Sequence, residues 1–114
     1  MKLNFLILLC LLLACAEEKE NIPQDILSEK EFVVVLKDIH LAEANFELQK
    51  NKGMDKAKNK LSNSYTSIYK KYNISEEKFK ENLNFYAQNP EMLEKIYTDV
   101  LEQLTKGRSV LDQQ

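Results

Sequence analysis

The chain has 114 residues, with 16 Lys and Arg against 18 Asp and Glu and a formal net charge of −2. This length suits one domain with a modest hydrophobic core. The nearly even charge balance argues against a dedicated nucleic-acid binder, which would show a strong basic excess. Both cysteines, Cys10 and Cys15, lie near the amino terminus. The rest of the chain therefore has no thiol for a disulfide, a thiolate metal ligand or a nucleophile.

The first 14 residues have the order of a secretory signal peptide. Lys2 supplies the positive start, Leu3 to Leu13 is almost wholly apolar, and the chain then reads Leu-Leu-Ala-Cys up to Cys15. The apolar run is shorter than the roughly 20 residues that span a bilayer. This order is typical of a bacterial lipoprotein, so we predict cleavage before Cys15 and acylation of that cysteine. The alternative is an ordinary signal peptide and a secreted product without lipid.

Cleavage before Cys15 would remove 14 residues, Lys2 among them, and leave 100 residues with 15 basic and 18 acidic side chains, a formal charge of −3. Residues 15–27 would then form a lipidated tether and an extended lead-in, because Glu17 to Glu20 is too charged to join a core and Pro23 favours an extended Ile22. Each buried methylene of an acyl chain contributes about 0.8 kcal/mol to membrane binding. We therefore predict a place in the cell envelope, anchored to the outer membrane on its periplasmic or its surface face.

The mature chain has the pattern of an all-α domain. Apolar residues recur every three or four positions, and no stretch of useful length alternates with period two. We predict a small bundle of about four helices, three long and one short, over residues 28–107. Residues 108–114 are expected to form a C-terminal tail.

Capping signals predict the ends of the first two helices. Ser28 and Glu31 form a capping box, so the first helix should run from about Glu29 to Gln49. A lysine-rich loop then ends at Gly53. The second helix follows directly, and Asn73 is expected to end it.

Two further helices follow. Ser75 is a favourable N-cap for a short third helix, which should run from about Glu76 to Gln88. Pro90 suits the first position of a fourth helix, where its missing N–H costs nothing. We expect Gly107 to end this fourth helix.

The first helix carries two apolar stripes. The wide stripe consists of Phe32, Val35, Leu36, Ile39, Ala42 and Phe46. The narrow one, called the leucine stripe below, consists of Val34, Leu41 and Leu48 and lies on nearly the opposite side. One interpretation makes the first helix central, with other helices on both sides. The other makes the leucine stripe a partner-binding surface for a helix of another protein or for a second copy of this chain.

His40 is the only histidine of the sequence. On a helical wheel it lies near Glu43 and Glu47, and Asp38 extends this possible polar cluster. A catalytic zinc usually takes three protein ligands, and a chain without a second histidine or a mature thiol offers a poor set. No Ser-His-Asp order stands out either. We therefore predict no metal, no other cofactor and no catalytic residue.

Lysines and tyrosines offer two further surfaces. The lysines crowd the turn between the first two helices: Lys50, Lys52, Lys56, Lys58 and Lys60. Such a positive tip fits a solvated loop or a contact with anionic headgroups or acidic glycans. The aromatic residues could form a sugar-stacking surface, but most have core spacing, so we expect buried rings with hydroxyls at the rim. They are Tyr65, Tyr69, Tyr72, Phe85, Tyr86 and Tyr97.

Short motifs along the mature chain carry a family resemblance. The two most specific are Asp-Ile-His-Leu-Ala-Glu-Ala over residues 38–44 and Asn-Pro-Glu over residues 89–91. Weaker matches are Ile22-Pro23, Ile26-Leu27, Phe32, Leu36-Lys37, Tyr69, Tyr72, Ile74, Phe79, Tyr86 and Ile96-Tyr97. Together they resemble the domain of unknown function 4296, a family of small lipoproteins from Bacteroidota. The resemblance implies a helical lipoprotein of the outer envelope with no established activity, cofactor or catalytic residue.

The sequence thus predicts a non-catalytic accessory or adaptor protein, attached to the membrane through a lipid on Cys15 and bound to a protein partner in the envelope. A homo-oligomer is a further option for the leucine stripe. The alternative from another class is an envelope lipoprotein that binds a small ligand, a glycan or a metal. A hydrolase or transferase comes third.

Overall fold

The computed structural model describes residues 22–112, with the side chains of residues 22–107. Four helices follow one another in this part of the chain, and a short 3₁₀ turn, Lys50–Lys52, separates the first two. The helices are α1 (Glu29–Gln49), α2 (Met54–Lys71), α3 (Glu76–Ala87) and α4 (Pro90–Asp112).

The predicted all-α bundle is confirmed. Three helices have 18 to 23 residues and α3 has 12, and no β-strand occurs within residues 22–112. The predicted signal peptide, the lipidation site Cys15 and the charged tether lie outside the described residues.

Side-chain caps start the helices where the sequence indicates. The Oγ of Ser28 accepts a hydrogen bond from the backbone N–H of Glu31 at 3.2 Å, and Glu31 returns a bond to the backbone N–H of Ser28 at 3.3 Å. The Oγ of Ser75 likewise accepts from the N–H of Lys78 at 3.0 Å. Between α2 and α3, Asn73 has a φ of 53°, a left-handed conformation that asparagine tolerates. The hydrogen bonds from Ser28 and Ser75 give backbone N–H groups in the first turns of α1 and α3 an acceptor that they would otherwise lack.

The core is centred on Phe32, which α1 contributes and which is fully buried. Its ring stacks on that of Tyr86 in α3, with centroids 5.0 Å apart and planes at 17°, and it lies 5.9 Å from that of Phe79. Ile96 and Val100 of α4 are buried in the same cluster. Residues of α1, α3 and α4 therefore pack in one cluster around the Phe32 ring.

The helix α1 is central to the bundle, because it contacts both α2 and α4. The first helix therefore has neighbours on two sides, as one interpretation expected, but these neighbours leave Leu41 and Leu48 of the leucine stripe exposed. Val33, which is 2% exposed, and Val34 of the leucine stripe line a cleft with α4, whereas Leu41 of the stripe is 51% exposed. The buried residues of α1 all lie in its first half, from Phe32 to Ile39. Residues 43–64 lie outside the core cluster and comprise the end of α1, the 3₁₀ turn and the start of α2. They are called the hairpin arm below.

The prediction that Gly107 ends the fourth helix is wrong, because α4 continues to Asp112. Gly107 lies inside this helix, so it does not form the left-handed cap that usually ends a helix. A glycine inside a helix costs about 1 kcal/mol relative to alanine, which a helix of 23 residues tolerates. The helix thus extends into residues 108–112, which the sequence predicted to be tail.

Three residues, called the lead-in latch below, fix the segment before α1. The backbone N–H of Leu27 donates to Oδ1 of Asn82 at 2.7 Å, and the Tyr86 hydroxyl donates to the carbonyl of Leu27. Asn82 is fully buried and also donates from Nδ2 to the carbonyl of Lys78 at 2.7 Å. Ile22 and Ile26 pack against the core. The lead-in is not extended throughout as the sequence predicted, because the N–H of Ile26 donates to the carbonyl of Pro23 at 3.1 Å and closes a turn. It is docked on α3 by hydrogen bonds as well as by apolar contacts.

Candidate functional site

The leucine stripe lies on a face of α1 that the other helices leave largely uncovered. Leu41 and Leu48 are 51% and 73% exposed, whereas Val34 is half-buried. The backbone carbonyl of Val34 lies 3.5 Å from the Tyr72 hydroxyl of α2, and Val34 also lines a cleft with α4, so this end of the stripe is partly covered. The two leucines are seven residues apart, or two helical turns. Together they present a narrow apolar strip that runs from Leu41 onto the hairpin arm.

The sequence missed Val33 as a core residue. Three consecutive valines, Val33 to Val35, spread over about 200° of the helical circumference at about 100° per residue, and they give no signal for which of them faces a second neighbour. The structure buries Val33 and Val35 and leaves Val34 half-buried. The position of α4, which periodicity within α1 does not encode, decides between them.

The predicted polar cluster is divided among separate neighbours. Nδ1 of His40 lies 3.7 Å from Oε2 of Glu43, and the His40 ring lies 6.1 Å from that of Tyr97. Glu47 instead pairs with Lys50, at 2.6 Å between Oε2 and Nζ. Within the described residues, no group of three or more His, Cys, Asp or Glu side chains is placed to hold a metal ion.

Asp38 is the fourth member of the predicted cluster and faces α2 instead. Its Oδ2 accepts from the Tyr72 hydroxyl at 2.6 Å and from Nζ of Lys71 at 3.0 Å. Burial alone would raise the pKa of Asp38, but the hydrogen bonds from Tyr72 and Lys71 and the charges of Lys71 and Lys37 lower it overall. The carboxylate therefore joins α1 to α2 in its charged form.

Asp38→Asn is expected to lower the free energy of unfolding at pH 7 by about 1 kcal/mol, since the hydrogen bond from Tyr72 becomes a neutral one and the exposed ion pair with Lys71 is lost. A carboxyl with a lowered folded pKa contributes stability above its unfolded pKa of about 3.9, and this contribution is lost as the pH falls through the folded pKa. Urea denaturation at pH 7 and pH 3 measures both effects. Asp25→Asn, at an exposed position, is the control, and equal acid sensitivity of wild type and Asp38→Asn would contradict the assignment.

The lysine-rich turn forms a positive tip at the end of the hairpin arm. Lys52, Lys56 and Lys60 line a shallow pocket of about 270 Å³ beside Gly53. Lys50 is paired with Glu47 and does not line this pocket. The tip therefore has three lysines on one side, as the sequence indicated, and its exposure fits a solvated turn.

The tyrosines are divided between the core and a surface groove. Tyr86 is fully buried and Tyr97 is 39% exposed. Tyr65 and Tyr69 line a groove of about 430 Å³ between α1, α2 and α3, and the Tyr65 hydroxyl donates to Glu43 at 3.0 Å. The expectation of buried rings with hydroxyls at the rim is wrong for Tyr97, whereas Tyr72 is half-buried and its hydroxyl bonds Asp38.

Comparison with known protein families identifies the family of this chain. The family model named Domain of unknown function (DUF4296) matches residues 23–109. The chain belongs to the DUF4296 family. The match runs from the lead-in to the last turns of α4 and so covers both the lead-in latch and the leucine stripe. The chain matches no curated protein and no solved structure.

Membership of DUF4296 confirms the resemblance that the Asp38–Ala44 and Asn89–Glu91 motifs carry. Asp38 and Glu43 of the first motif make the contacts with Tyr72 and Tyr65 across α1 and α2. Within residues 22–112, no helix has both the length and the apolar character to cross a bilayer.

Proposed function

We propose that this DUF4296 protein is a lipid-anchored, non-catalytic adaptor of the bacterial envelope that binds a helix of a protein partner through Leu41 and Leu48. The exposure of these two leucines on the central helix carries the proposal. Single exposed leucines are ordinary on protein surfaces. Two of them in one stripe that runs onto the hairpin arm form the surface that an amphipathic partner helix can cover.

The size of the leucine stripe sets the kind of contact. Fully burying one leucine side chain contributes about 1.5–3 kcal/mol, so Leu41 and Leu48 together supply enough for a weak contact and not for tight binding from solution. A lipid on Cys15 would offset this weakness, because two proteins held at one membrane meet at a high effective concentration. In this proposal the lipid on Cys15 raises the effective concentration of the partner, and the leucine stripe supplies the contact with it.

Leu41→Asp and Leu48→Asp are expected to change the free energy of unfolding by no more than about 0.5 kcal/mol, because both positions are exposed. The same changes should abolish capture of the partner, since an aspartate cannot be buried there without loss of hydration. Chemical crosslinking in intact cells, followed by purification through a C-terminal tag, measures capture, and urea denaturation measures stability.

Leu101→Asp is the matched control, because Leu101 is 64% exposed on α4. It should leave both stability and capture unchanged. If Leu41→Asp and Leu48→Asp each unfold the protein, the stripe is core and the proposal loses its main support.

The alternative function is binding of a small ligand, a glycan or a metal. The groove lined by Tyr65 and Tyr69 favours its ligand and glycan versions. Its metal version depends on His40, and calorimetry with divalent metals on wild type and His40→Ala tests it. Absence of heat in both proteins would remove the metal version.

A further inference from the structure

The groove between α1, α2 and α3, called the tyrosine groove below, lies on the side of α1 away from the leucine stripe. Ile39 and Glu43 contribute to it from α1, at wheel positions roughly opposite those of Leu41 and Leu48. Its volume is about 430 Å³. The two surfaces can therefore be occupied independently.

Three aromatic rings, those of Tyr65, Tyr69 and Phe79, line the tyrosine groove. The rings of Tyr65 and Tyr69 are nearly parallel, with planes at 13° and centroids 6.4 Å apart. The ring of Phe79 from α3 follows, 5.9 Å from that of Tyr69. Both tyrosines are half-buried, so part of their surface remains open to a ligand. Such faces carry partial negative charge and attract cations.

Carboxylates make the tyrosine groove more negative still. Glu43 accepts from the Tyr65 hydroxyl, and Glu76 lines the groove from the first turn of α3. Burial, then the hydrogen bond from Tyr65 to Glu43 and the charge of Glu43, raise the pKa of Tyr65 to about 12. Burial and the charges of Glu76 and Glu43 also raise the pKa of Tyr69. Two carboxylates, Glu43 and Glu76, and one ammonium group, Lys80, therefore line the groove.

We propose that the tyrosine groove binds an arginine side chain of a polypeptide, with the guanidinium against the tyrosine rings and paired with Glu43 or Glu76. A guanidinium is planar and weakly hydrated, stacks on aromatic faces and bonds carboxylates through two N–H groups at once. A neutral sugar would use the rings but gain nothing from two carboxylates. This site does not depend on the leucine stripe or on the lipid.

Lys80 would compete with the bound arginine for the carboxylate of Glu76. It lines the groove, and its Nζ lies 3.4 Å from Oε1 of Glu76. Both side chains are about two-thirds exposed, and an exposed pair one turn apart on a helix is weak. An arginine that also stacks on Tyr69 can therefore displace the lysine from Glu76. Removal of Lys80 should strengthen binding.

A titration followed by NMR tests this site with the full-length protein in a non-ionic detergent. The probes are a blocked Gly-Arg-Gly peptide, the same peptide with neutral citrulline in place of arginine, and a neutral trisaccharide. The arginine peptide is expected to shift the ring signals of Tyr65 and Tyr69 in a saturable way, and the other two probes to have little effect. Glu76→Gln should weaken binding of the arginine peptide about tenfold, which corresponds to about 1.4 kcal/mol.

The control is Glu81→Gln, an exposed position on α3 outside the groove, which should leave the affinity unchanged. Lys80→Met should tighten binding severalfold. Equal binding of the arginine and citrulline peptides, no saturable shift with arginine, or weaker binding by Lys80→Met would each overturn the proposal. Shifts with the trisaccharide alone would assign the groove to a glycan instead.

Discussion

Cys15→Ser is expected to move the protein from the membrane fraction to the soluble fraction. Serine cannot take the thioether-linked lipid, and two acyl chains with about 0.8 kcal/mol for each buried methylene are what makes anchoring stable. Intact-mass spectrometry of the purified protein should show the loss of the acyl chains. Fractionation of cells followed by immunoblotting should show the change of compartment.

Cys10 provides the matched control for this experiment. It lies in the predicted signal peptide, five residues before Cys15, and the predicted cleavage would remove it. Cys10→Ser should therefore leave the mature mass and the membrane fractionation unchanged. A Cys15→Ser protein with the wild-type mass that still fractionates with membranes would rule out lipid anchoring at this residue.

Asn82→Ala is expected to destabilise the domain by about 3 kcal/mol, because it leaves the N–H of Leu27 without its partner and opens a small cavity. Asn82 is fully buried and makes one bond to the lead-in and one to its own helix. For a domain of this size, such a loss lowers the melting temperature by roughly 12–24 °C. Thermal unfolding followed by circular dichroism measures it.

Asn84→Ala is the control, since Asn84 is an exposed asparagine on the same helix. It should shift the melting temperature by only a few degrees, and alanine is the better helix former at such a position. If the two variants melt together, the lead-in latch does not hold the segment before α1.

The lead-in latch limits the distance between the domain and a membrane to which Cys15 would be attached. Seven residue steps separate Cys15 from Ile22 and span at most about 25 Å when fully extended. Ile22 packs against the core, so a lipid on Cys15 would keep the domain close to the bilayer. A partner that reaches Leu48 would then have to lie near the same membrane.

Local signals predicted the helices well. The capping box of Ser28 and Glu31 and the cap at Ser75 are contained in four consecutive residues each, and both form as expected. The end of α1 at Gln49 was also predicted, because Gly53 closes the following turn. Interactions of this range depend on the sequence alone.

Features that depend on packing between helices could not be predicted from the sequence. The bond from Leu27 to Asn82 joins residues 55 positions apart, and Asn82 looks like any polar residue of an exposed helix face. The tyrosine groove needs α1, α2 and α3 in place before Glu43 and Glu76 can act on one ligand. Gly107 failed as a stop signal because a glycine ends a helix only when the chain needs a left-handed turn there.

A photo-crosslinking amino acid at position 48, introduced in living cells, tests the adaptor proposal most directly. We expect a discrete crosslinked product with one envelope protein from position 48, its loss on addition of Leu41→Asp, and no such product from position 101, where Leu101 is similarly exposed on α4. Mass spectrometry identifies the crosslinked chain. No product from position 48, the same products from both positions, or a product that contains only this protein would contradict the adaptor proposal.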